Sequence, residues 1–156
     1  MDIIYVGQDP TADIVKKPSI FLAGPSPRAG VGEHWRPKAL NILRSLGFMG
    51  AVYVPLLENG EWLRNYDAQV DWELKFIDLA TVVAFWVPRN LENLPGFTTN
   101  VEFGYCIGSF KTIVLGYPEG APKTRYLHRL AKLNGVSIAH TLAETLSLAQ
   151  LNTTLV

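Results

Sequence analysis

Cysteine is nearly absent from this chain, with Cys106 the only one. A single thiol excludes an internal disulfide and a cysteine metal cluster. Histidine is scarce too: His34, His128 and His140 stand far apart, without ligand spacing, so no metal site is expected. Neither sign of charge dominates, with 14 Lys and Arg against 14 Asp and Glu. Nucleic acid polymers and anionic membranes both call for a basic patch, so neither is the expected partner. No apolar run approaches the roughly 20 residues that cross a bilayer. Residues 1–6 lack the basic start and long apolar stretch of a secretory leader, which makes a cytoplasmic location the expectation. The phosphate-binding patterns GxxxxGK and GxGxxG are missing, so this is neither a Walker nor a dinucleotide motif. Internal repeats, linkers and low-complexity tracts are missing as well.

What is present is a globular composition. Hydrophobic residues make up 48% and charged residues 18% of the 156 positions. That length suits a single domain over residues 1–156 with a sizeable core. Apolar runs alternate with helical patterns. Strands are predicted at 19–23, 51–55, 81–88 and 112–116, with a short fifth near 136–138 and a candidate edge strand at 3–6. Helices are predicted at 34–46, 67–80, 100–109, 123–133 and 141–151. In the first of these helices Trp35, Ala39, Ile42, Leu43 and Leu46 form the apolar stripe, Pro37 is tolerated in the first turn, and Gly47 is a natural stop. Continuous apolar strands between helices imply an α/β, mainly parallel five-stranded sheet, doubly wound, with helices on both faces.

Candidate site residues lie at strand-to-helix corners, where open α/β sheets bind ligands. Glu102 stands at the predicted start of the 100–109 helix. Thr99-x-x-Glu102 also fits a capping box, with Thr99 as N-cap. A helix N-terminus stabilises an anion, so Glu102 is expected to be ionised at neutral pH. An ionised, held carboxylate suits covalent chemistry at a sugar anomeric carbon. On the 67–80 helix, 100° per residue puts Tyr66, Val70, Leu74, Ile77 and Ala80 on one apolar face. Glu73 falls inside that face. A carboxylate there needs either a basic partner, such as Arg36 or Lys75, or a cavity shared with Glu102. In the second case burial beside another carboxylate raises its pKa and suits it to proton transfer. Asp71 is the rival for that role. Trp72 and Leu79 project opposite the stripe, which predicts a subunit contact and a homodimer or higher homo-oligomer.

The loop Gly24-Pro25-Ser26-Pro27-Arg28 follows the first main strand. Its small residues permit close approach of a ligand. Ser26 and Arg28 suit a hydroxyl or a phosphate, although an ordinary strand-ending turn also accounts for the loop. Gly104 and Gly108, one turn apart, suggest close packing of helix on strand. Cys106 between them faces the core and is expected to be inert. Trp62, Trp72 and Trp86 are either base-stacking platforms or core residues.

Five segments occur in order: Ile20-Phe21-Leu22-Ala23-Gly24-Pro25, Asp67-Ala68-Gln69-Val70-Asp71-Trp72-Glu73, Phe85-Trp86-Val87-Pro88-Arg89, Asn100-Val101-Glu102-Phe103-Gly104-Tyr105 and Leu115-Gly116-Tyr117-Pro118. From Ser19 to the last helix the chain resembles the nucleoside 2-deoxyribosyltransferase-like family, in the branch often found in bacteria and phages. The resemblance implies a flavodoxin-like sheet and cleavage of the N-glycosidic bond of a nucleoside or nucleotide. It implies Glu102 as glutamate nucleophile, assisted by Glu73 or Asp71. It also implies oligomers whose neighbouring subunits help complete the pocket, and no cofactor. The family's loop aspartate has no counterpart in Leu94-Pro95-Gly96-Phe97-Thr98-Thr99; Asn100 stands as its substitute. A nucleotide-binding or sensing protein without turnover is the alternative expectation.

Overall fold

A computed structural model describes residues 1–27 and 34–155. In chain order the elements are β1 (Asp2–Tyr5), α1 (Ala12–Val15), β2 (Ser19–Ala23), α2 (Trp35–Ser45), β3 (Ala51–Val54), α3 (Tyr66–Leu79), β4 (Val82–Trp86), α4 (Phe97–Gly108), β5 (Ile113–Gly116), α5 (Arg125–Leu133), β6 (Ser137–Ala139) and α6 (Leu142–Asn152). The strands form one six-stranded sheet in the order β1-β3-β2-β4-β5-β6. Every neighbouring pair is parallel.

The five strands from β2 onward follow the flavodoxin-like doubly wound order. The sixth strand is β1, which pairs with β3 from Asp2↔Ala51 to Tyr5↔Val54 and extends the sheet at its edge. The sheet therefore has six strands where five were expected. The candidate edge segment is a full partner, because its in-register backbone groups bond β3 along its whole length. The short α1 gave no periodic signal, since one turn of helix is too brief to carry one.

The central strands are buried on both faces, as parallel sheets require. The side chains of β2, β3 and β4 alternate between two cores. One core lies under α3, α4 and α5 and includes Phe21, Tyr53, Phe76, Phe85, Phe103 and Leu127. The other lies under α2 and α6 and includes Ile20, Leu22, Trp35, Leu43, Trp86 and Leu146. Each fully buried aliphatic or aromatic side chain contributes about 1.5–3 kcal/mol. In α2 the contact stripe is Trp35, Arg36, Ala39, Leu40 and Leu43, while Leu46 is exposed. The chain passes from β2 to β3 on one side and to β4 on the other. The loops after β2 and β4 therefore diverge and open a crevice at the carboxyl ends of the strands.

Three local details differ from expectation. Helix α4 begins at Phe97, with Gly96 as its cap in the left-handed region at φ 60°. Thr99 is inside the first turn and buried, so the Thr99–Glu102 capping box is not formed. A glycine just before the helix supplied a start that the Thr-x-x-Glu pattern obscured. In α3 the buried face is Gln69, Trp72, Phe76 and Ile77. Tyr66 and Leu74 are exposed. Trp72 stacks at 4.2 Å from the Phe76 ring centroid, and its Nε1 donates to Gln8 O at 3.0 Å. Trp72 thus lies inside the fold and is no subunit contact; two large aromatics bury more area than the aliphatic stripe would. Gly104 and Gly108 have open space where a Cβ would stand, so helix-on-strand packing does not explain them. Among the described residues no helix is long and apolar enough to cross a membrane.

Candidate active site

The crevice at the carboxyl ends of β2 and β4 holds a cavity of about 850 Å³. Glu73 and Glu102 both line it, as do Gly24, Pro25 and Ser26. A second, mostly apolar groove of about 740 Å³ runs between α3 and α4, and Trp62, Glu73, Thr98 and Glu102 line both spaces. The two glutamates therefore stand where a polar basin meets an apolar groove.

The β2 side of the basin is built by Arg36. It comes from the first turn of α2 and is only 3% exposed. Its Nε donates to Leu22 O at 3.2 Å, Nη1 to Ser26 Oγ at 2.6 Å, and Nη2 to Gly24 O at 2.7 Å. Trp35 beside it donates from Nε1 to Pro25 O at 2.9 Å. Two adjacent side chains of one helical turn thus hold the loop after β2. Gly24 is required by its own packing: at φ +146° its Cβ would lie 2.1 Å from Trp86 O. The close approach there is between two strand ends.

Among the described residues Arg36 forms no ion pair within 4.0 Å; such pairs join Lys17 with Asp2 and Lys75 with Asp9. Its burial lowers the guanidinium pKa to about 10, so it stays charged at neutral pH. A buried cation without an ion-pair partner is costly. Here its field falls on the two carboxylates, favouring the ionised form of both.

Glu73 accepts a hydrogen bond on Oε1 from Gln69 Nε2 at 2.7 Å. Burial raises its pKa, opposed by the Gln69 hydrogen bond and by Arg36. Glu102 is pushed up to about 7, first by burial, then by the negative charge of Glu73, against the pull of Arg36. The expectation of a carboxylate held ionised by a helix N-terminus is therefore corrected. Glu102 lies in the second turn of α4, and the helix-end effect fades within the first. Burial wins, and both carboxyls are raised above the ordinary carboxylate range. His34, on the same cavity wall, has its pKa lowered by burial and by Arg36.

Of the residues expected at the site, Glu102, Glu73, Gly24, Pro25 and Ser26 come together. Asp71 does not: it is exposed on α3 and lines neither space. The turn that carries Glu73 inward carries Asp71, two residues earlier, outward. Asn100 does not either. Its Oδ1 accepts from Arg89 Nη2 at 2.6 Å, and Arg89 also donates to Lys123 O at 2.7 Å, so this amide serves to tie α4 to the loop before α5. Arg28 lies outside the described residues. Lys75, a proposed partner of Glu73, points away to Asp9 at 2.7 Å. Trp62, 46% exposed, remains at the site, whereas Trp72 and Trp86 are core residues. The Cys106 thiol, pushed up to about 12 mainly by burial, is inert as expected.

Sequence reasoning missed Gln69 and the full role of Arg36. Arg36, Leu40 and Leu43 recur at i, i+4 and i+7, a helical stripe with a cation in it. Gln69 stands one turn before Glu73, the spacing at which amide and carboxylate meet on a helix. Among the described residues no group of three or more His, Cys, Asp or Glu side chains is arranged to hold a metal ion.

Two partly buried carboxylates thus line one cavity at the switch point of a doubly wound, flavodoxin-like sheet, where open α/β sheets bind ligands. The chain belongs to the nucleoside 2-deoxyribosyltransferase-like family, whose family model matches residues 17–120. That span runs from β2 past β5 and contains both glutamates, Arg36 and Gln69. A search of curated proteins gave no match.

Proposed function

We propose that this protein cleaves the N-glycosidic bond of a nucleoside or nucleotide through a glycosyl-glutamate intermediate. Glu102 attacks C1′: a C1′–Oε bond forms as the C1′–N bond breaks. The electron pair leaves with the base, which takes a proton from Glu73. A second base, or water, then attacks C1′ and returns a proton to Glu73, releasing Glu102. The reactive form of the pair carries one proton. The observation that carries this reading is the pair itself, two glutamates lining one cavity with Arg36 as the buried cation beside them. The flat π face of the base suits the groove flanked by Trp62, and the sugar suits the basin of Ser26 and Gly24. The protein is expected to act in the cytoplasm.

We also infer a homodimer. Val101, 73% exposed, lies with Tyr66, Leu74 and Tyr105 on an apolar α3–α4 surface, and such patches mark interfaces.

Incubation with a panel of ribo- and deoxyribonucleosides and their 5′-phosphates, with chromatography of free base, tests the activity. Release of base, with an adduct of glycosyl mass on the intact protein, is the expected result. Tight ligand binding without base release from any member of the panel would overturn it in favour of a binding or sensing protein. One observation favours that second reading: Asn100, the stand-in for the family's loop aspartate, is engaged by Arg89.

A further inference from the structure

Gln69 is a buried amide with every strong partner fixed by chemistry. Its Oε1 accepts from the backbone N–H of Leu63 at 3.1 Å. Its Nε2 donates to Pro55 O at 3.0 Å and to Glu73 Oε1 at 2.7 Å. A backbone N–H only donates and a backbone carbonyl only accepts. The amide therefore has one possible orientation. Flipping it would set Nε2 against the Leu63 N–H and Oε1 against the Pro55 carbonyl, leaving both without a match.

We propose that Gln69 is the positioning residue for the proton carried by Glu73: its locked amide makes Glu73 Oε1 an obligatory acceptor and confines any proton to Oε2. Oε2 makes no hydrogen bond within the described residues, and it is the oxygen left for a ligand. The same amide spans from Pro55 to Leu63 and so clamps the β3–α3 loop that carries Trp62. One side chain thereby sets both the outgoing proton and the loop beside the base. The inference rests on Glu73 as the proton donor of the proposed reaction. Its primary readout is titration, which is independent of turnover.

Among the described residues the charged groups around Glu73 are Arg36 from α2 and Glu102 from α4, with Glu61 and His34 on the same cavity wall. On its own helix Asp71 and Lys75 are exposed. The Gln69 hydrogen bond favours ionised Glu73, so its loss should move the Glu73 titration to higher pH.

The first measurement uses the unaltered protein. Its Gln69 side-chain amide protons and Glu73 carboxyl carbon are followed by NMR across pH. One Gln69 amide proton should shift with the same midpoint as the Glu73 carboxyl; a Gln69 amide that does not respond overturns the proposal. The second uses Gln69→Leu and, in case that variant does not fold, Gln69→Glu, which keeps an acceptor for Leu63. In either, the Glu73 midpoint should rise; an unchanged midpoint overturns the proposal. The third is a cycle with Glu73→Gln. Gln69→Leu alone should lower kcat about tenfold or more, with KM little changed, as expected when a general acid is misaligned. Combined with Glu73→Gln it should add nothing further. A full additional loss in the double variant means that Gln69 acts only through the loop. Absence of base release from the unaltered protein would overturn the proposed reaction, whereas the titration results would still decide the role of Gln69.

Discussion

On the β2–α2 side of the cavity, Arg36 and Trp35 donate four hydrogen bonds into the loop after β2 and its neighbouring strand end. On the α3–α4 side, Tyr66, Leu74 and Val101 stand exposed. The first wall is polar and preorganised, which is how a site stabilises charge that develops during reaction. The second is apolar and open. α4 is anchored on this side by Tyr105, whose hydroxyl donates to both Asp78 oxygens at 2.9 and 3.0 Å. The two glutamates differ in the same sense. Glu73 belongs to a bonded network, and Glu102 has no hydrogen bond within the described residues. Arg36 favours the ionised form of Glu102, and Gln69 holds one oxygen of Glu73.

The most severe way to break this division is to remove Glu102. Glu102→Ala should cost on the order of 10⁴-fold or more in base release, as loss of a covalent nucleophile does. Far-UV circular dichroism should show an intact fold. Glu102→Gln should be nearly as inactive, and wild-type turnover in that variant would end the covalent mechanism.

Arg36→Met tests the polar wall. It strips the donors from Leu22 O and Gly24 O, at about 1–3 kcal/mol for each acceptor left unsatisfied. It also removes the cation that favours ionised Glu102. The expected result is a lower denaturation midpoint together with an activity limb moved to higher pH. A stability loss with an unmoved pH profile would reduce Arg36 to a loop brace.

The pH dependence of stability sharpens the contrast between the two carboxyls. Glu102 stands at about 7 in the fold against an ordinary 4.5. The native state then binds this proton more tightly than the unfolded chain does. Its contribution is fully present below about 4.5 and fades as pH rises to about 7, at a cost of about 3 kcal/mol. Glu102→Gln should therefore be more stable than the parent at pH 8, with the advantage shrinking toward pH 4. Denaturant titrations at both pH values decide it; an equal difference at the two would show that Glu102 is solvated.

The smallest expected effect concerns the apolar wall. Light scattering at micromolar concentration should give about twice the 17.3 kDa chain mass. Val101→Glu should return the protein to monomer with little change in monomer stability, because the substitution is on an exposed face. A monomer in the parent protein would leave this wall to the ligand alone.

Apart from the short α1, the order of strands and helices, the parallel sheet and the positions of the two glutamates were legible in the linear pattern. Uninterrupted apolar strands of four or five residues between amphipathic helices leave few other architectures. The capping pattern at Thr99 was also real as a pattern, yet Gly96 started the helix one turn sooner. The α3 face was misjudged because periodicity counts apolar positions equally. Packing ranks them by the area each can bury, so Trp72 and Phe76 went inward and Leu74 outward.

The sequence by itself determined that a carboxylate would sit at a strand-to-helix corner and that a second would follow the preceding strand, because those are local, periodic properties of the chain. Only the tertiary structure decided that burial raises the Glu102 carboxyl, that Arg36 is the cation between strand end and carboxylates, and that Gln69 donates to Glu73 while held by Pro55 and Leu63. Burial, field and hydrogen-bond partners are sums over neighbours distant in the chain. Arg36, Glu73 and Glu102 face one another only once the sheet has brought β2, β3 and β4 side by side.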